Sequence, residues 1–360
     1  MIKRIANITR KLLAGRPNVG ATPCDVIHRE NKWRLLRYRP LDDVEPRGDS
    51  PILLVPSLIN RHYILDLMPN KSFVEYLLGR GHDVYIIDWG TPGDEDRFLD
   101  FEAFCYRYLR RASRLVARRS PTAKTHLLGY CLGGTLTTIY AATRPDHLDG
   151  MALLAAPVDF TDDGLLSTWA NMDTLDLEAV VDAFGNVPWP LMQLGFHLLR
   201  PTMNLSKAVY SFDRATDDVF LDGFFALETW SNDNVSFPGR AFLRYIQDLY
   251  RENRLVRGQF AVQGRRIHLS DIACPTLNIS FEHDHIVPSQ SVQALNDQVD
   301  DALIDHVHLY GGHVGAVCSS KASDNLWPLV SNWFIDRAPD ADSDAEDETA
   351  ESSKPLPASA

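Results

Sequence analysis

No run of about 18 apolar residues occurs anywhere in this 360-residue chain, so no segment is expected to cross a membrane as a helix. The start, Met1-Ile2-Lys3-Arg4-Ile5-Ala6, is charged and has no continuous apolar core of signal-peptide length. Cysteine is scarce and scattered. Cys24, Cys105, Cys131, Cys274 and Cys318 are odd in number and contain no C-x-x-C pair, which argues against a zinc ribbon or a disulfide framework. A reducing, cytoplasmic setting fits. Basic residues are outnumbered, and the formal net charge is −12. Seven acids against one lysine in residues 338–360 supply −6 of it, leaving −6 for the body. With no basic stripe, nucleic acid is an unsuitable partner. The Ala-, Ser-, Asp-, Glu- and Pro-rich tail at 338–360 is expected to be disordered. No internal repeat is present.

The chain does have enough apolar residues, 45%, to bury a large core. Residues 1–21 form an N-terminal segment in which Ile2, Ile5, Ile8, Leu12 and Leu13 recur at helical spacing among Lys3, Arg4, Arg10 and Lys11. Such a helix suits either surface binding or packing on its own domain. From residue 51 strands and helices alternate. Strands are expected at Pro51–Val55, Asp83–Trp89, Thr125–Leu128 and Gly150–Ala155, and helices at Ser72–Leu78, Phe101–Arg118 and Thr135–Ala142. The rhythm breaks over 160–271, where helical patterns and aromatics occur without a clear strand. It resumes with strands at Pro275–Phe281 and Leu303–Tyr310 and helices at Gln290–Val299 and Ser323–Asp336. The order implies an α/β fold: a mostly parallel sheet with helices on both faces, built from 22–159 and 272–337, with a largely helical cap inserted at 160–271.

The pattern richest in chemistry is Gly129-Tyr130-Cys131-Leu132-Gly133-Gly134. It is the G-x-S-x-G nucleophile elbow of α/β-hydrolases with cysteine in the serine position. A sulfur there suits the exchange of acyl groups between thioesters. The fold requires nucleophile, acid and His in that order. Asp284, in Ser280-Phe281-Glu282-His283-Asp284-His285, is the candidate acid, with Glu282 as its rival. His313, in the glycine-flanked loop Gly311-Gly312-His313-Val314-Gly315, is the candidate base. It would take the thiol proton, since a free cysteine titrates at about 8.5. Two backbone N–H groups are needed for the oxyanion. One is that of Leu132. The other belongs to the loop after the first strand, where Leu58 is favoured with Ser57 close behind. His283, Asp284 and His285, or His306, His308 and His313, offer a rival reading as metal ligands. Adjacent and alternate positions at a strand end point in different directions, so no metal is expected. The other four cysteines are read as structural. Phe184, Trp189, Phe224 and Trp230 of the cap either line a substrate pocket or form the cap's own core. Substrate contacts are otherwise unassigned.

These segments together resemble the polyhydroxyalkanoate synthases. The resemblance runs from about residue 22 to 336. It rests on Thr22-Pro23-Cys24-Asp25-Val26, Glu30-Asn31-Lys32, Val55–Leu67, Ile87-Asp88-Trp89-Gly90-Thr91-Pro92, the Gly129–Gly134 box, Ala156-Pro157-Val158-Asp159-Phe160, Trp230-Ser231-Asn232-Asp233, Phe237-Pro238-Gly239, Asp284–Pro288 and Gly311–Gly315. Ala156 departs from the family's usual Thr, and the stretch after His313 matches weakly. A short N-terminus resembles the class III or IV catalytic subunit, and Asp88-Trp89-Gly90 with Gly185-Asn186-Val187-Pro188 leans toward class III.

The resemblance implies that Cys131 accepts the acyl group of (R)-3-hydroxyacyl-CoA with His313 as base. Asp284 then helps to activate a 3-hydroxyl that attacks a thioester. CoA is a product, and no cofactor is implied. A second, non-catalytic subunit, a homodimer or hetero-oligomer, and attachment to the polyester granule surface are also implied. The competing reading from the residues is a cysteine-nucleophile thioesterase or esterase.

Overall fold

A computed structural model describes residues 2–15, 17–161, 164–172, 176–199, 207 and 210–337. The acidic tail expected at 338–360 lies outside the described residues. Eight strands form one sheet: β1 (Cys24–Glu30), β2 (Trp33–Tyr38), β3 (Ile52–Val55), β4 (Val84–Asp88), β5 (Thr125–Tyr130), β6 (Leu148–Leu154), β9 (Thr276–Phe281) and β10 (Ile304–Leu309). Their order is β1-β2-β4-β3-β5-β6-β9-β10. All pairs from β4 to β10 are parallel, whereas β1/β2 and β2/β4 are antiparallel. The central strands β3, β4, β5 and β9 are buried at every position. This is why β3 and β4 read as nearly continuous apolar runs rather than alternating ones. The outer strand β10 is only half-buried.

The antiparallel edge β1–β2 was not foreseen as strands. In β2 the charged residues Arg34 and Arg37 interrupt the apolar pattern, and both are satisfied by β4. Arg34 Nε donates to Asp88 at 3.0 Å and Arg37 Nε to Asp83 at 2.9 Å. Helices α2 (Phe73–Gly79), α3 (Leu109–Ala117) and α4 (Leu132–Ala141) complete the crossovers. Ser72 caps α2 by accepting from the Glu75 N–H at 2.9 Å. The helix expected over Phe101–Arg118 begins with a π-helical stretch, Ala103–Tyr108, before α3.

Two expected helices come out shorter or broken. The one after β9 spans only Ser289–Gln293. There the Val292 carbonyl accepts from Asn278 Nδ2 at 2.9 Å and from the Leu295 N–H at 3.3 Å, a tighter turn than the α-helix. The last helix is split into Ser320–Asp324 and Leu326–Ile335. The ring of Pro328 would clash with the carbonyl of Asp324 in a continuous helix.

Between β6 and β9 run the helices Leu165–Ala170, Leu177–Phe184, Trp189–Leu199, Asp218–Ser231 and Gly239–Arg244, the last continuing into a π-helical stretch, Tyr245–Arg251. A two-residue hairpin, β7 (Ala261–Val262) with β8 (Arg265–Arg266), corrects the expectation that 160–271 holds no strand. At the N-terminus α1 (Ile2–Leu13) is helical but buries none of its residues. It docks through its polar face. Arg4 pairs with Asp213 at 3.3 Å, Arg10 with Asp218 at 2.8 Å, and Lys11 with Asp222. Ile2, Ile5, Leu12 and Leu13 face solvent.

Candidate active site

Cys131 sits between β5 and α4 with φ 55° and ψ −129°. That left-handed turn is strained for a residue with a side chain, and it is held by its surroundings. The Cys131 N–H donates to the Leu154 carbonyl at 2.9 Å, and its own carbonyl accepts from Gly134 at 2.8 Å. The turn closes only because glycines follow. A Cβ at Gly133 would lie 2.0 Å from the Val55 carbonyl oxygen and 2.6 Å from that of Pro56, and one at Gly134 would lie 2.3 Å from the Ala156 Cβ. The whole of α4 is buried. Its N-terminus, and the Leu132 N–H with it, points at the site of reaction.

Asp284 and His313 lie in the loops after β9 and β10. The parallel register of those strands brings the two loops together. His313 Nδ1 donates to Asp284 Oδ2 at 2.6 Å. Asp284 Oδ1 accepts from the N–H groups of Ile286 at 2.9 Å and Val287 at 2.8 Å, so the carboxylate is fixed on both oxygens. Glu282, the rival acid, is exposed. With Nδ1 engaged, the His313 Nε2 is left for the thiol. Tyr130 supports the imidazole from below. Its ring lies 5.2 Å from that of His313, and its hydroxyl donates to the His313 carbonyl at 3.2 Å.

Burial alone would lower the pKa of His313. The neighbouring Cys131 sulfur, then Asp284, by charge and by hydrogen bonding, override it and push the group up to about 10. The constellation favours an imidazolium once the thiol proton has moved.

The segment after β3 runs past the same point. The indole Nε1 of Trp89, itself buried, donates to the Pro56 carbonyl at 2.9 Å. Ser57 borders the active-site cavity, whereas the Leu58 side chain packs into the core.

Cys131 and His313 open onto a cavity of about 560 Å³. Of the four cap aromatics singled out in the sequence, only Trp230 lines it. Phe184 and Trp189 are exposed, and Phe224 stacks on Phe220 and meets Phe225 edge-on. Tyr245 and Tyr250, on the π-helical stretch, form part of the wall and were not foreseen. Nor were Asn60, Arg61, Gln193 and Lys207, which supply its polar rim. The π-helical register at Tyr245–Arg251 has no signature in a periodicity reading.

His306 and His308, at alternate positions of β10, share a face, contrary to the expectation that they point in different directions. His306 and His308 both engage Ser280 Oγ, at 3.1 and 2.9 Å, well apart in role from His313. Among the described residues no group of three or more metal-ligating side chains is assembled. Cys105, Cys274 and Cys318 are buried, and burial pushes each thiol up, well above the ordinary range for Cys105 and to about 12 for the other two.

The α/β hydrolase fold family matches residues 50–312, and the family "poly-beta-hydroxybutyrate polymerase (PhaC) N-terminus" matches residues 5–77. Curated relatives include the poly(3-hydroxyalkanoate) polymerase subunit PhaC of Haloferax mediterranei, 36% identical over 94% of this chain and 69% of the relative. That of Synechocystis sp. is 34% identical over 92% of each chain. That of Allochromatium vinosum is 31% identical over 94% of this chain and 97% of the relative. Among solved structures, a putative lipase from Sulfolobus solfataricus superposes with a TM-score of 0.53 at 15% identity, covering 88% of this chain and 99% of that one. At that identity the likeness is one of fold.

Proposed function

The chain belongs to the poly(3-hydroxyalkanoate) polymerase family, and from that premise we propose that it joins (R)-3-hydroxyacyl units from CoA thioesters into a polyester. The observation that supports the mechanism is the hydrogen-bonded pair Asp284–His313 set beside Cys131 at the mouth of one cavity.

His313 takes the thiol proton and Cys131 attacks the thioester carbonyl. The N–H of Leu132, with that of Leu58 or Ser57, receives the oxyanion. Collapse expels CoA, which leaves with the proton held on His313, and an acyl thioester remains on Cys131. A hydroxyl of another unit then gives its proton to His313 and attacks a thioester, so that an ester bond forms as the thioester C–S bond breaks and the departing sulfur leaves with the proton held on His313. Asp284 keeps Nδ1 protonated and offsets the charge of the imidazolium throughout. The reaction so written uses no resident cofactor or metal; the CoA thioester is substrate. A second, non-catalytic subunit, association of copies through the cap and attachment to the polyester granule complete the proposal. No helix of the described residues is long and apolar enough to cross a membrane.

The test is an assay of purified protein with (R)-3-hydroxybutyryl-CoA, following CoA release and turbidity, alone and with a candidate second subunit. Release with rising turbidity is expected. Release accompanied only by soluble 3-hydroxybutyrate would replace the polymerase reading with a thioesterase.

A further inference from the structure

The segment that carries the second oxyanion donor is anchored at both ends, by different parts of the molecule. Its beginning belongs to the sheet: β3 ends at Val55, and the Pro56 carbonyl is held by Trp89 and crowded by Gly133. Its continuation, Ile59–Tyr63, is held by the cap. Trp230 Nε1 donates to the Arg61 carbonyl at 2.9 Å. Arg61 Nε and Tyr63 OH donate to the two carboxylate oxygens of Asp233, at 3.1 and 2.9 Å. The Val235 N–H donates to the Ile59 carbonyl at 3.2 Å. Asn60 and Asn234 form a short antiparallel bridge, backed by a bond between their side chains. All these cap groups lie within Trp230–Val235, immediately after or at the end of the helix Asp218–Ser231.

Trp230, Asn234, Asn60 and Arg61 also line the cavity that Cys131 faces. The same stretch of cap is therefore a wall of the substrate cavity and a brace for the loop beneath it. We infer that Asp233 is a positioning residue: by bridging Arg61 and Tyr63 it ties the Ser57–Leu58 amides to the cap. Acyl transfer then depends on the cap's hold on this loop as well as on the cavity wall it supplies. The inference rests on Cys131 being the nucleophile of the proposed function.

The test compares wild type with Asp233→Ala and the milder Tyr63→Phe in three measurements. The first is the single-turnover acylation of Cys131 by (R)-3-hydroxybutyryl-CoA. The second is alkylation of the same thiol by iodoacetamide, a displacement at a saturated carbon that develops no oxyanion. The third is amide hydrogen exchange over 56–64.

A misplaced donor is expected to slow acylation by roughly 10- to 100-fold. Alkylation should stay at the wild-type rate. Exchange over 56–64 should quicken in both variants while that of β5 and α4 is unchanged. Equal losses of acylation and alkylation would point to general disruption and overturn the inference. So would wild-type exchange over 56–64. Failure of the wild-type protein to be acylated would sink the substrate reading by itself, with exchange still deciding the brace.

Discussion

Gly133→Ala tests the elbow where its tolerance is smallest. The added methyl carbon would start 2.0 Å from the Val55 carbonyl oxygen and 2.6 Å from that of Pro56. Comfortable C–H···O contacts lie at about 3.3–3.6 Å, so the two backbones must part by roughly 1.3 Å. Neither side yields easily. One is a fully buried helix, and the other continues a central strand and is tied by Trp89. Overpacking of this kind costs about 1–3 kcal/mol. In a chain this long that lowers Tm by roughly 1–4 °C. The effect on chemistry is larger, because the displacement separates the Leu132 N–H from the donor after β3. A shift of about 1 Å costs on the order of 100-fold in rate. The variant should be assayed well below its Tm for burst release of CoA and for iodoacetamide labelling of Cys131, with calorimetry alongside. A cooperative, slightly lowered melt with acylation reduced far more than labelling is expected. Wild-type acylation would refute the account of the elbow.

Other perturbations separate the groups. Cys131→Ala should abolish CoA release while leaving Tm nearly unchanged, since the thiol is only part-buried; release at the wild-type rate would remove Cys131 as nucleophile. Trp89→Phe leaves the Pro56 carbonyl without its indole donor, which costs about 1–3 kcal/mol in urea unfolding, and should lower kcat more than it changes KM. His313 has a folded pKa raised from 6.5 to about 10, so its charge contributes stability fully below about pH 6.5 and loses it as pH rises through about 10. The Tm gap between wild type and His313→Gln should therefore be widest near pH 6 and close toward pH 10. A gap that widens with pH would reverse the sign of the argument.

The candidate nucleophile, acid and base could be named because each is a local signal in a fixed chain order: a glycine-bounded elbow, an Asp after a strand, a His between glycines. The central strands were legible from their short runs of Leu, Ile, Val and aromatic residues bounded by turn residues. What escaped depends on partners remote in sequence. Arg34 and Arg37 look like breaks in a pattern until Asp88 and Asp83 are seen opposite them. Arg61 and Asp233 are 172 positions apart, and neither alone suggests the other. Among the cap aromatics, composition gave no means of telling Trp230, which faces the cavity, from Phe184 and Trp189, which face solvent.

Cys131 follows β5 in the middle of the sheet, whereas Asp284 and His313 follow β9 and β10, and β10 is its half-exposed outer strand. Proteins open first where few buried contacts hold them, and a marginal strand detaches before a central one. Heat or denaturant would then strip away His313 while Asp284, behind a fully buried strand, and the elbow stayed folded. A melting curve reads the interior of this sheet; the working life of the enzyme is set at its margin.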